Sequence, residues 1–357
     1  MSRPSPVLGS LAPALPRVVL LAVLGACHAT PSHLPSPTPD AKVGTPSPST
    51  SAANPAPASS AEPAVPQSAP SAPAEPSNVP ESPPAAQATP DAPPPEEDGM
   101  LLVPGGPFTM GSDDVGEADE HPRHVVEIPA FFLDRTEVTN ADYERCVSAG
   151  VCRAHDTRSS RLNHFGDDRA FRAPTQPISA VSWEDAQAYC HFVGKRLPRE
   201  AEWEKAARGT DARTYPWGEA KPTAQHAVFS TNRTAPVGTH PLGVGPYGHL
   251  DLTGNVWEWM QDDYDPDAYR RTTAPQGVPA GCPEILRTQD ALRHAGRQGY
   301  TGSNPIPTEC EKVLRGGAFN YVLHGLRASN RVHHPARYRL IMAGFRCAKD
   351  AAAPSQP

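Results

Sequence analysis

The most informative stretch of the sequence is Asp251-Leu252-Thr253-Gly254-Asn255-Val256-Trp257-Glu258-Trp259. Asp251 and Glu258 flank a turn that contains a glycine, so two carboxylates and the turn carbonyls offer hard oxygen ligands. Ca²⁺ prefers ligands of this kind. In a second interpretation Asp251 caps a turn, Glu258 pairs with an arginine and both tryptophans pack in the core. The spacing alone leaves both interpretations open.

Upstream of this stretch, capping residues predict three helices. Thr139 and Ser182 each precede an acid by three residues, which is the pattern of an N-cap. Pro198 introduces a third helix over 200–208, which Gly209 ends. Short apolar runs predict four strands, at Met100–Val103, Phe108–Met110, His124–Ile128 and Phe131–Leu133. Turn residues dominate elsewhere, so the predicted class is α+β with little regular secondary structure.

Composition separates the chain into a domain and a long N-terminal segment. The 357 residues include 45 Pro and 27 Gly, a higher share than the average of about 12%. No aromatic residue occurs within 28–99. The formal net charge is −7 and the isoelectric point is about 6.0. This acidic balance argues against nucleic acid as a partner, because a nucleic-acid-binding protein needs a basic face.

The N-terminus resembles a bacterial export signal. Positive charge at Arg3 and Arg17 precedes a short apolar run beginning at Val18. A membrane-spanning helix needs about 20 apolar residues, so the run is better interpreted as part of a signal peptide over 1–26. Small residues directly before Cys27 resemble a lipobox, which predicts lipidation of Cys27 and anchoring to a membrane. The alternative is ordinary signal cleavage nearby, with Cys27 incidental.

Residues 27–98 are predicted to form a disordered, Pro/Ala/Ser-rich tether. They carry too little apolar surface to offset the entropy of ordering the chain. Pro-rich chain extends by up to about 3.1 Å per residue, so the tether would reach on the order of 200 Å. The folded domain is predicted at 99–350, and 351–357 form a tail. These features predict an extracytoplasmic, lipid-anchored protein of a bacterial cell envelope.

Six cysteines remain after Cys27, and an even number in an exported chain predicts disulfides. Six cysteines allow 15 connectivities, among which the sequence does not choose. Cys146 and Cys152 are near enough to close a small loop, and Cys282 and Cys310 share one Gly/Pro-rich stretch. Those two pairs would leave Cys190 with Cys347. No zinc-ligand spacing is present.

No catalytic residue is assignable from common motifs. The chain lacks a nucleophile elbow, a phosphate-binding loop, a dinucleotide fingerprint and a zinc-protease motif. Histidines occur together at His333-His334 and at His121-Pro122-Arg123-His124. Adjacent residues of a strand face opposite ways, so His333 and His334 make a poor ligand pair. These histidines are predicted to lie on the surface or in loops.

An ordered series of motifs resembles the formylglycine-generating enzyme family, also called sulfatase-modifying factors. The motifs are Pro104-Gly105-Gly106-Pro107-Phe108-Thr109-Met110-Gly111-Ser112, Thr136-Glu137-Val138-Thr139-Asn140, Val181-Ser182-Trp183-Glu184-Asp185-Ala186, Gly194-Lys195-Arg196-Leu197-Pro198-Arg199-Glu200-Ala201-Glu202-Trp203-Glu204, Tyr215-Pro216-Trp217-Gly218, Gly254-Asn255-Val256-Trp257-Glu258-Trp259, Arg315-Gly316-Gly317 and Gly344-Phe345-Arg346-Cys347. Any one motif is weak, but eight in register are specific.

The resemblance implies a variant of the C-type lectin-like fold. It also implies a calcium site formed by the side chains of Asp251 and Glu258 and the carbonyls of Gly254 and Val256. A disulfide between the motifs that hold Cys190 and Cys347 is likewise a family feature. These implications agree with the oxygen cluster and with one of the cysteine pairings above.

The family's copper site is missing from the sequence. Family enzymes oxidise a substrate cysteine to formylglycine with copper and O₂, holding Cu(I) with two cysteines five residues apart. Those cysteines lie between the Arg-Gly-Gly and Gly-Phe-Arg-Cys motifs, where this chain has none. The two positions fall near Leu323 and Ala328, and hydrocarbon side chains do not bind Cu(I). No copper is therefore expected.

Three functions remain open. The first is a calcium-stabilised binding module that recognises an envelope protein, a peptide or a glycan. The second is a non-heme metal-dependent oxidoreductase acting on a protein or small-molecule thiol, since the resemblance extends to iron enzymes of ergothioneine and siderophore maturation. Iron is not excluded, although the sequence assembles no facial triad of ligands. The third is a structural lipoprotein without a small ligand.

Overall fold

The computed structural model describes residues 96–155, 168–271, 281–294 and 308–352. The predicted signal peptide, Cys27 and nearly all of the tether lie outside the described residues, as do residues 353–357. Ten strands lie within the described ranges: β1 (Glu96–Glu97), β2 (Met100–Val103), β3 (Gly106–Met110), β4 (His124–Ile128), β5 (Phe131–Asp134), β6 (Trp257–Asp263), β7 (Glu311–Arg315), β8 (Val332–Pro335), β9 (Ala343–Gly344) and β10 (Ala348–Asp350). The first strand begins within the stretch that the sequence assigned to the tether.

Five α-helices lie in the same ranges: α1 (Asn140–Ser148), α2 (Trp183–Phe192), α3 (Glu200–Arg208), α4 (Ala268–Arg271) and α5 (Cys282–His294). The three predicted helices are confirmed, together with their caps. The Thr139 hydroxyl accepts from the Asp142 amide at the start of α1. Ser182 and Asp185 bond reciprocally at the start of α2, and α3 ends at Gly209, whose φ is +65°.

The strands form three sheets. The first has the order β1-β2-β5-β10 and is antiparallel throughout, so the first and last described strands belong to one sheet. Strands β3 and β4 form a separate antiparallel pair. The third sheet has the order β8-β7-β6-β9. Strand β6 is central there, antiparallel to β7 and parallel to β9. The predicted α+β class with modest regular structure is confirmed.

Buried aromatic side chains hold these sheets to the helices. Trp257 and Trp259 of β6 are 2% and 0% exposed, and Trp203 of α3 is fully buried. Both faces of β6 are buried over its first four residues. Burying one large apolar side chain contributes about 1.5–3 kcal/mol. Burial therefore holds β6 in place, and β6 in turn positions the paired strands β7 and β9.

Three disulfides link Cys146 to Cys152, Cys190 to Cys347, and Cys282 to Cys310. Local spacing favoured the first and third of these pairs, and the second is the pair that they left over and that the family resemblance implied. The bond from Cys190 closes 157 residues of chain and joins α2 to the residue before β10. In the described part of the chain, no helix combines the length and the apolar character that crossing a membrane requires.

Candidate functional site

The turn before β6 is shaped by left-handed backbone. Asp251, Gly254 and Asn255 have φ values of +54°, +84° and +58°. A Cβ at position 254 would lie 2.5 Å from the Val228 carbonyl oxygen, so only glycine fits there. The Asn255 amide donates to that same Val228 carbonyl, over 2.9 Å. The turn is therefore tight, fixed on both sides and incompatible with a larger residue at its centre.

Glu258 forms a buried ion pair with Arg346. The Arg346 Nε donates to Glu258 Oε2 over 2.7 Å and Nη2 donates to Oε1 over 2.8 Å. Both side chains are fully buried. The Trp203 indole N–H also donates to Glu258 Oε2, over 3.0 Å. An arginine partner for Glu258 is what the second interpretation of the sequence predicted, and Trp257 and Trp259 do pack in the core.

The other N–H groups of Arg346 are also used. They donate to the backbone carbonyls of Asp134, Arg135 and Leu250 at 2.9–3.1 Å. An arginine has five N–H donors, and two of these already bond Glu258. None is left for a second carboxylate, so Arg346 is committed to one acid and to the backbone.

The Asp251 side chain lies near Glu258 and Arg346 and accepts one hydrogen bond from the described residues. Its Oδ2 accepts from the Gly238 amide over 2.6 Å. The residue is 6% exposed, and burial raises its pKa above the usual value. The side chain thus resembles the turn cap of the second interpretation, while one carboxylate oxygen stays available.

Glu137 is the residue that sequence reasoning missed. It is 2% exposed, and neither carboxylate oxygen has a hydrogen-bond partner among the described residues. Burial, and secondly the negative charge of Asp251, raise the pKa of Glu137 well above its usual value. Burying a carboxylate without a hydrogen-bond partner costs free energy, so Glu137 is a candidate for a functional rather than a stabilising residue. The one available signal was a lone acid between Thr136 and the buried Val138.

Together Glu137, Asp251, Glu258 and Arg346 form what we call the acid-rich site. Three carboxylates face one guanidinium, so full ionisation leaves a surplus of two negative charges. The described residues contain no cluster of three His, Cys, Asp or Glu side chains placed to hold a metal ion. A cation bound here would therefore need backbone oxygens as well as side chains.

A second buried cluster lies beside the acid-rich site, and in it the arginines outnumber the carboxylates. We call it the arginine-rich network; its members are Glu200, Glu204, Arg208, Arg315 and Arg331. Arg315 donates to both glutamates, and its Nη1 lies 2.8 Å from Glu200 Oε1. Arg331 donates to both oxygens of Glu200, and Arg208 donates to Glu204 over 2.7 Å. Every charged group here has at least one charged partner.

The positions expected for the family's copper ligands hold only hydrocarbon. Leu323 begins a single 3₁₀ turn and is half-buried, and Ala328 is fully buried. Each of the six cysteines in the described part of the chain is bonded to another cysteine. No free thiol is therefore present in these ranges to bind Cu(I).

The same segment is anchored by Glu120. This fully buried carboxylate accepts from the Ser329 hydroxyl over 2.7 Å and from the Asn330 side-chain amide over 3.2 Å. It also pairs with Arg327 over 2.5 Å. These bonds lower the pKa of Glu120, although burial opposes them as the largest single effect. The segment that holds copper in relatives is fixed here by polar contacts.

The prediction that His333 and His334 lie on the surface or in loops is met in part, since neither lies in a loop but both are partly exposed on an edge strand. Both lie on β8, where the side chains are only partly exposed. His333 Nδ1 bonds Glu311, and its ring stacks on Tyr264 with centroids 3.7 Å apart. Burial lowers the pKa of His334 to about 4. Strand position separates the two rings, as expected, and His121 instead bonds the Ser112 carbonyl.

Comparison with known proteins identifies the family. The family described as Sulfatase-modifying factor enzyme 1-like domain matches residues 85–351. Hercynine oxygenase of Mycolicibacterium thermoresistibile is 34% identical over 283 residues, which cover 70% of this chain and 58% of that protein. Formylglycine-generating enzyme of Bos taurus is 30% identical over 254 residues, 55% of this chain and 66% of that protein.

Two further similar proteins are a protein kinase and a protein of solved structure. Serine/threonine-protein kinase Pkn1 of Chlamydia trachomatis is 33% identical over 262 residues, which cover 70% of this chain but 38% of that protein. The chain thus spans well under two thirds of the kinase and of the oxygenase. Among solved structures, PvdO from Pseudomonas aeruginosa has a TM-score of 0.54 and 27% identity, covering 71% of this chain and 94% of PvdO.

Proposed function

Because the chain belongs to the sulfatase-modifying factor enzyme 1-like family, we propose that it is an envelope-anchored binding module of that family. In this proposal calcium stabilises the domain, and the copper chemistry of formylglycine formation is absent. The proposed partner is an envelope protein, a peptide or a glycan.

The observation that carries this proposal is the state of the cysteines. All six in the described domain form disulfides, and Leu323 and Ala328 lie where relatives place copper-binding thiolates. Cu(I) requires soft ligands such as thiolate, and a disulfide sulfur or a methyl group does not replace it. The segment is also fixed by Glu120, so no nearby thiol is positioned to move in.

The residues of the acid-rich site fit calcium in the chemistry of their oxygens. Asp251 and Glu258 would hold the ion together with the carbonyls of Gly254 and Val256. The carbonyl between those two, that of Asn255, already accepts from the Phe319 amide. Bound calcium supplies positive charge and no redox chemistry. Burial raises the pKa of Glu137, so Glu137 would contribute negative charge when a bound cation favours its ionised form, and an ion of charge +2 would then balance the surplus of the site.

The alternative is a non-heme metal-dependent oxidoreductase, and the relationship to hercynine oxygenase favours it. Iron of that kind needs His or carboxylate ligands that converge on one point. The ranges described by the structure offer no such group of three. His333, His334 and His121 each have contacts that serve the fold. We therefore place this function second.

Metal analysis and a substrate assay separate the two. The full chain is purified and its calcium, copper and iron contents are measured by mass spectrometry. We expect about one calcium per chain, copper and iron well below stoichiometric amounts, and no conversion of a cysteine-containing peptide to its aldehyde. Stoichiometric iron or copper with O₂ consumption would overturn the binding module in favour of an oxidoreductase.

Anchoring is tested separately on Cys27. In a bacterial host the wild-type chain should fractionate with membranes and carry acyl groups on Cys27, as seen by mass spectrometry of the N-terminal peptide. Cys27→Ala should move the protein to the soluble fraction, because stable anchoring needs more than one acyl chain. An unmodified Cys27 in the wild type would disprove the anchor and leave the domain's function untouched.

A further inference from the structure

A cleft of about 530 Å³ is lined by Asp113, His121, Pro122 and Arg270. The loop that carries it is bonded to the arginine-rich network, because Arg208 donates to the Gly111 carbonyl and Arg331 to the Asp119 carbonyl. The cleft is shallow and open to solvent, so a ligand bound there would stay partly exposed. Neither the acid-rich site nor the copper segment contributes a lining residue. The function of the cleft must therefore be argued from its own polar groups.

The tautomer of His121 follows from one bond. Its Nδ1 lies against the Ser112 carbonyl oxygen. A carbonyl oxygen only accepts, so Nδ1 carries the proton and donates it. In the neutral ring the other nitrogen, Nε2, then holds an unshared lone pair. His121 thus brings a fixed hydrogen-bond acceptor to the lining of the cleft.

Arg270 brings donors to the same cleft. Its Nη2 donates to the Ala118 carbonyl over 3.1 Å, and its Nη1 lies 3.4 Å from Asp267 Oδ1. Arginine has five N–H donors, so these two bonds leave three for a ligand. The side chain is 42% exposed. Within the described part of the chain, each terminal nitrogen therefore keeps one N–H free, and Nε keeps its own.

Asp113 supplies further hydrogen-bond acceptors, and its negative charge is paired with Arg123. Its Oδ1 accepts from the Arg123 amide over 2.9 Å and its Oδ2 lies 2.8 Å from Arg123 Nε. Each oxygen keeps lone pairs, while the charge is matched by Arg123. Asp267 likewise matches Arg270. Among the lining residues Asp113 and Arg270 carry opposite charges, and each also faces an oppositely charged side chain outside the lining. This pairing favours an uncharged ligand over an anion or a metal ion.

The loop that forms the cleft is preorganised. The Ser112 amide donates to the Glu120 carbonyl over 2.8 Å. The Glu120 side chain is fully buried and bonded to Ser329 and Asn330. Arg270 bonds Ala118 within the same loop. A site held in this way loses little conformational entropy on binding, which favours affinity for a small ligand.

From this geometry we propose that the cleft lined by Asp113, His121, Pro122 and Arg270 binds a neutral saccharide through its hydroxyl groups. A sugar hydroxyl donates one hydrogen bond and accepts two. Adjacent hydroxyls therefore match an arrangement in which Asp113 and His121 accept and Arg270 donates. The proposal rests on the binding-module function and names the ligand class for one surface of that module.

Saturation-transfer NMR on the full chain tests the site, with the methyl glycosides of glucose, galactose, mannose and N-acetylglucosamine as probes. We expect at least one glycoside to receive saturation from the wild-type protein. Arg270→Met and His121→Gln should each weaken its binding roughly tenfold, since each removes a hydrogen bond to the ligand. The control Arg145→Met, at a side chain 70% exposed in α1, should bind as the wild type does.

Thermal unfolding of each variant shows whether it is folded, and Arg270→Lys supplies a second, milder change that should fall between Arg270→Met and the wild type. The site is disproved if no glycoside binds, if the variants bind unchanged, or if acetate or inorganic phosphate displaces the sugar. Sugar binding that the variants leave unchanged would disprove the site and keep the binding module. Stoichiometric iron or copper would overturn the module whatever this cleft binds.

Discussion

The acid-rich site and the arginine-rich network are both buried ionic clusters, yet they are completed in different ways. In the network, three arginines and two glutamates form reciprocal pairs, and each charge meets an opposite charge. In the acid-rich site one arginine serves three carboxylates and bonds only Glu258. In the arginine-rich network every charged side chain has an oppositely charged partner, whereas in the acid-rich site Glu137 and Asp251 have no arginine partner among the described residues.

The difference follows from how each arginine uses its five donors. Arg346 donates three of them to backbone carbonyls and so fixes two chain segments beside β6, one at residues 134–135 and one at Leu250. Arg315 donates to Glu200, Glu204 and the Ala328 carbonyl, and it lies over the Trp203 ring. A guanidinium devoted to the backbone leaves neighbouring acids unmatched. In the acid-rich site burial raises the pKa of both Glu137 and Asp251, as expected for carboxylates without a cationic partner.

The largest effect is expected from breaking the complete cluster. Arg315→Met should lower the free energy of unfolding by about 3–5 kcal/mol, because it removes buried charge-assisted hydrogen bonds to Glu200 and Glu204 and leaves the Ala328 carbonyl without this donor. Glu204 would keep Arg208 and Glu200 would keep Arg331, so the protein is expected to fold at low temperature. Urea unfolding followed by far-ultraviolet circular dichroism measures the change.

The matched control for that variant is Arg145→Met, at an exposed i,i+3 pair with Asp142. Exposed pairs contribute about 0–1 kcal/mol, so this control should differ little from the wild type. A loss below about 1 kcal/mol for Arg315→Met would show that the network is not a stabilising unit. The contrast between the two clusters would then have no energetic meaning.

A smaller effect, conditional on calcium, is expected at Glu137. Calcium at a hundredfold excess over its Kd should stabilise the wild type by about 2.7 kcal/mol relative to chelator. Glu137→Gln removes one negative charge with little change of shape, and we expect the affinity to fall about tenfold. The same calcium concentration would then contribute only about 1.4 kcal/mol. Thermal unfolding with and without chelator measures both increments.

Glu120→Gln is the control for the loss of a buried carboxylate. Glu120 is fully hydrogen-bonded and paired with Arg327, so this variant should be destabilised equally with and without calcium. Glu137→Gln should instead be at least as stable as the wild type in chelator, because it removes an unpaired buried acid. Equal calcium increments in Glu137→Gln and the wild type would exclude Glu137 from the site.

Local features of this fold were predictable and distant contacts were not. Thr139, Ser182 and Gly209 set helix ends through bonds within four residues, so the sequence located those helices. Strand β6 escaped prediction because both its faces are buried, which removes the alternation that marks a half-exposed strand. Helix α5 was missed because Gly281 and Pro283 at its start resemble a loop.

The residues of the acid-rich site likewise include some that the sequence indicated and others that it did not. Asp251 and Glu258 are seven residues apart, so their turn was visible in the sequence. Glu137 lies more than 100 residues before them, and its place in the Thr136–Asn140 motif does not indicate that the fold brings it to Asp251. The choice of Arg346 as partner of Glu258 likewise depends on the pairing of β6 with β9. Such contacts are set by the tertiary fold.

The smallest effect concerns Asp262, an acid of β6 that lies at the edge of the arginine-rich network without an arginine partner in the described residues. Its Oδ2 accepts from the Glu200 amide over 2.7 Å. Burial, with the negative charge of Glu200, raises the pKa of Asp262 to about 6 from 3.8. The folded state therefore holds this proton more tightly than the unfolded state, and stability falls as pH rises from about 4 to about 6.

Asp262→Asn removes that titration while keeping an oxygen for the Glu200 amide. We expect its stability relative to the wild type to increase across pH 4–6 by about 1–2 kcal/mol, less than the full shift implies because the residue is partly exposed. Above pH 6.5 the difference should be constant. The neighbouring neutral change Gln261→Asn should show a difference that does not vary with pH. If the stability difference between Asp262→Asn and the wild type did not vary with pH, the pKa of Asp262 would not be raised. The edge of the arginine-rich network would then be as well matched in charge as its centre, unlike the acid-rich site.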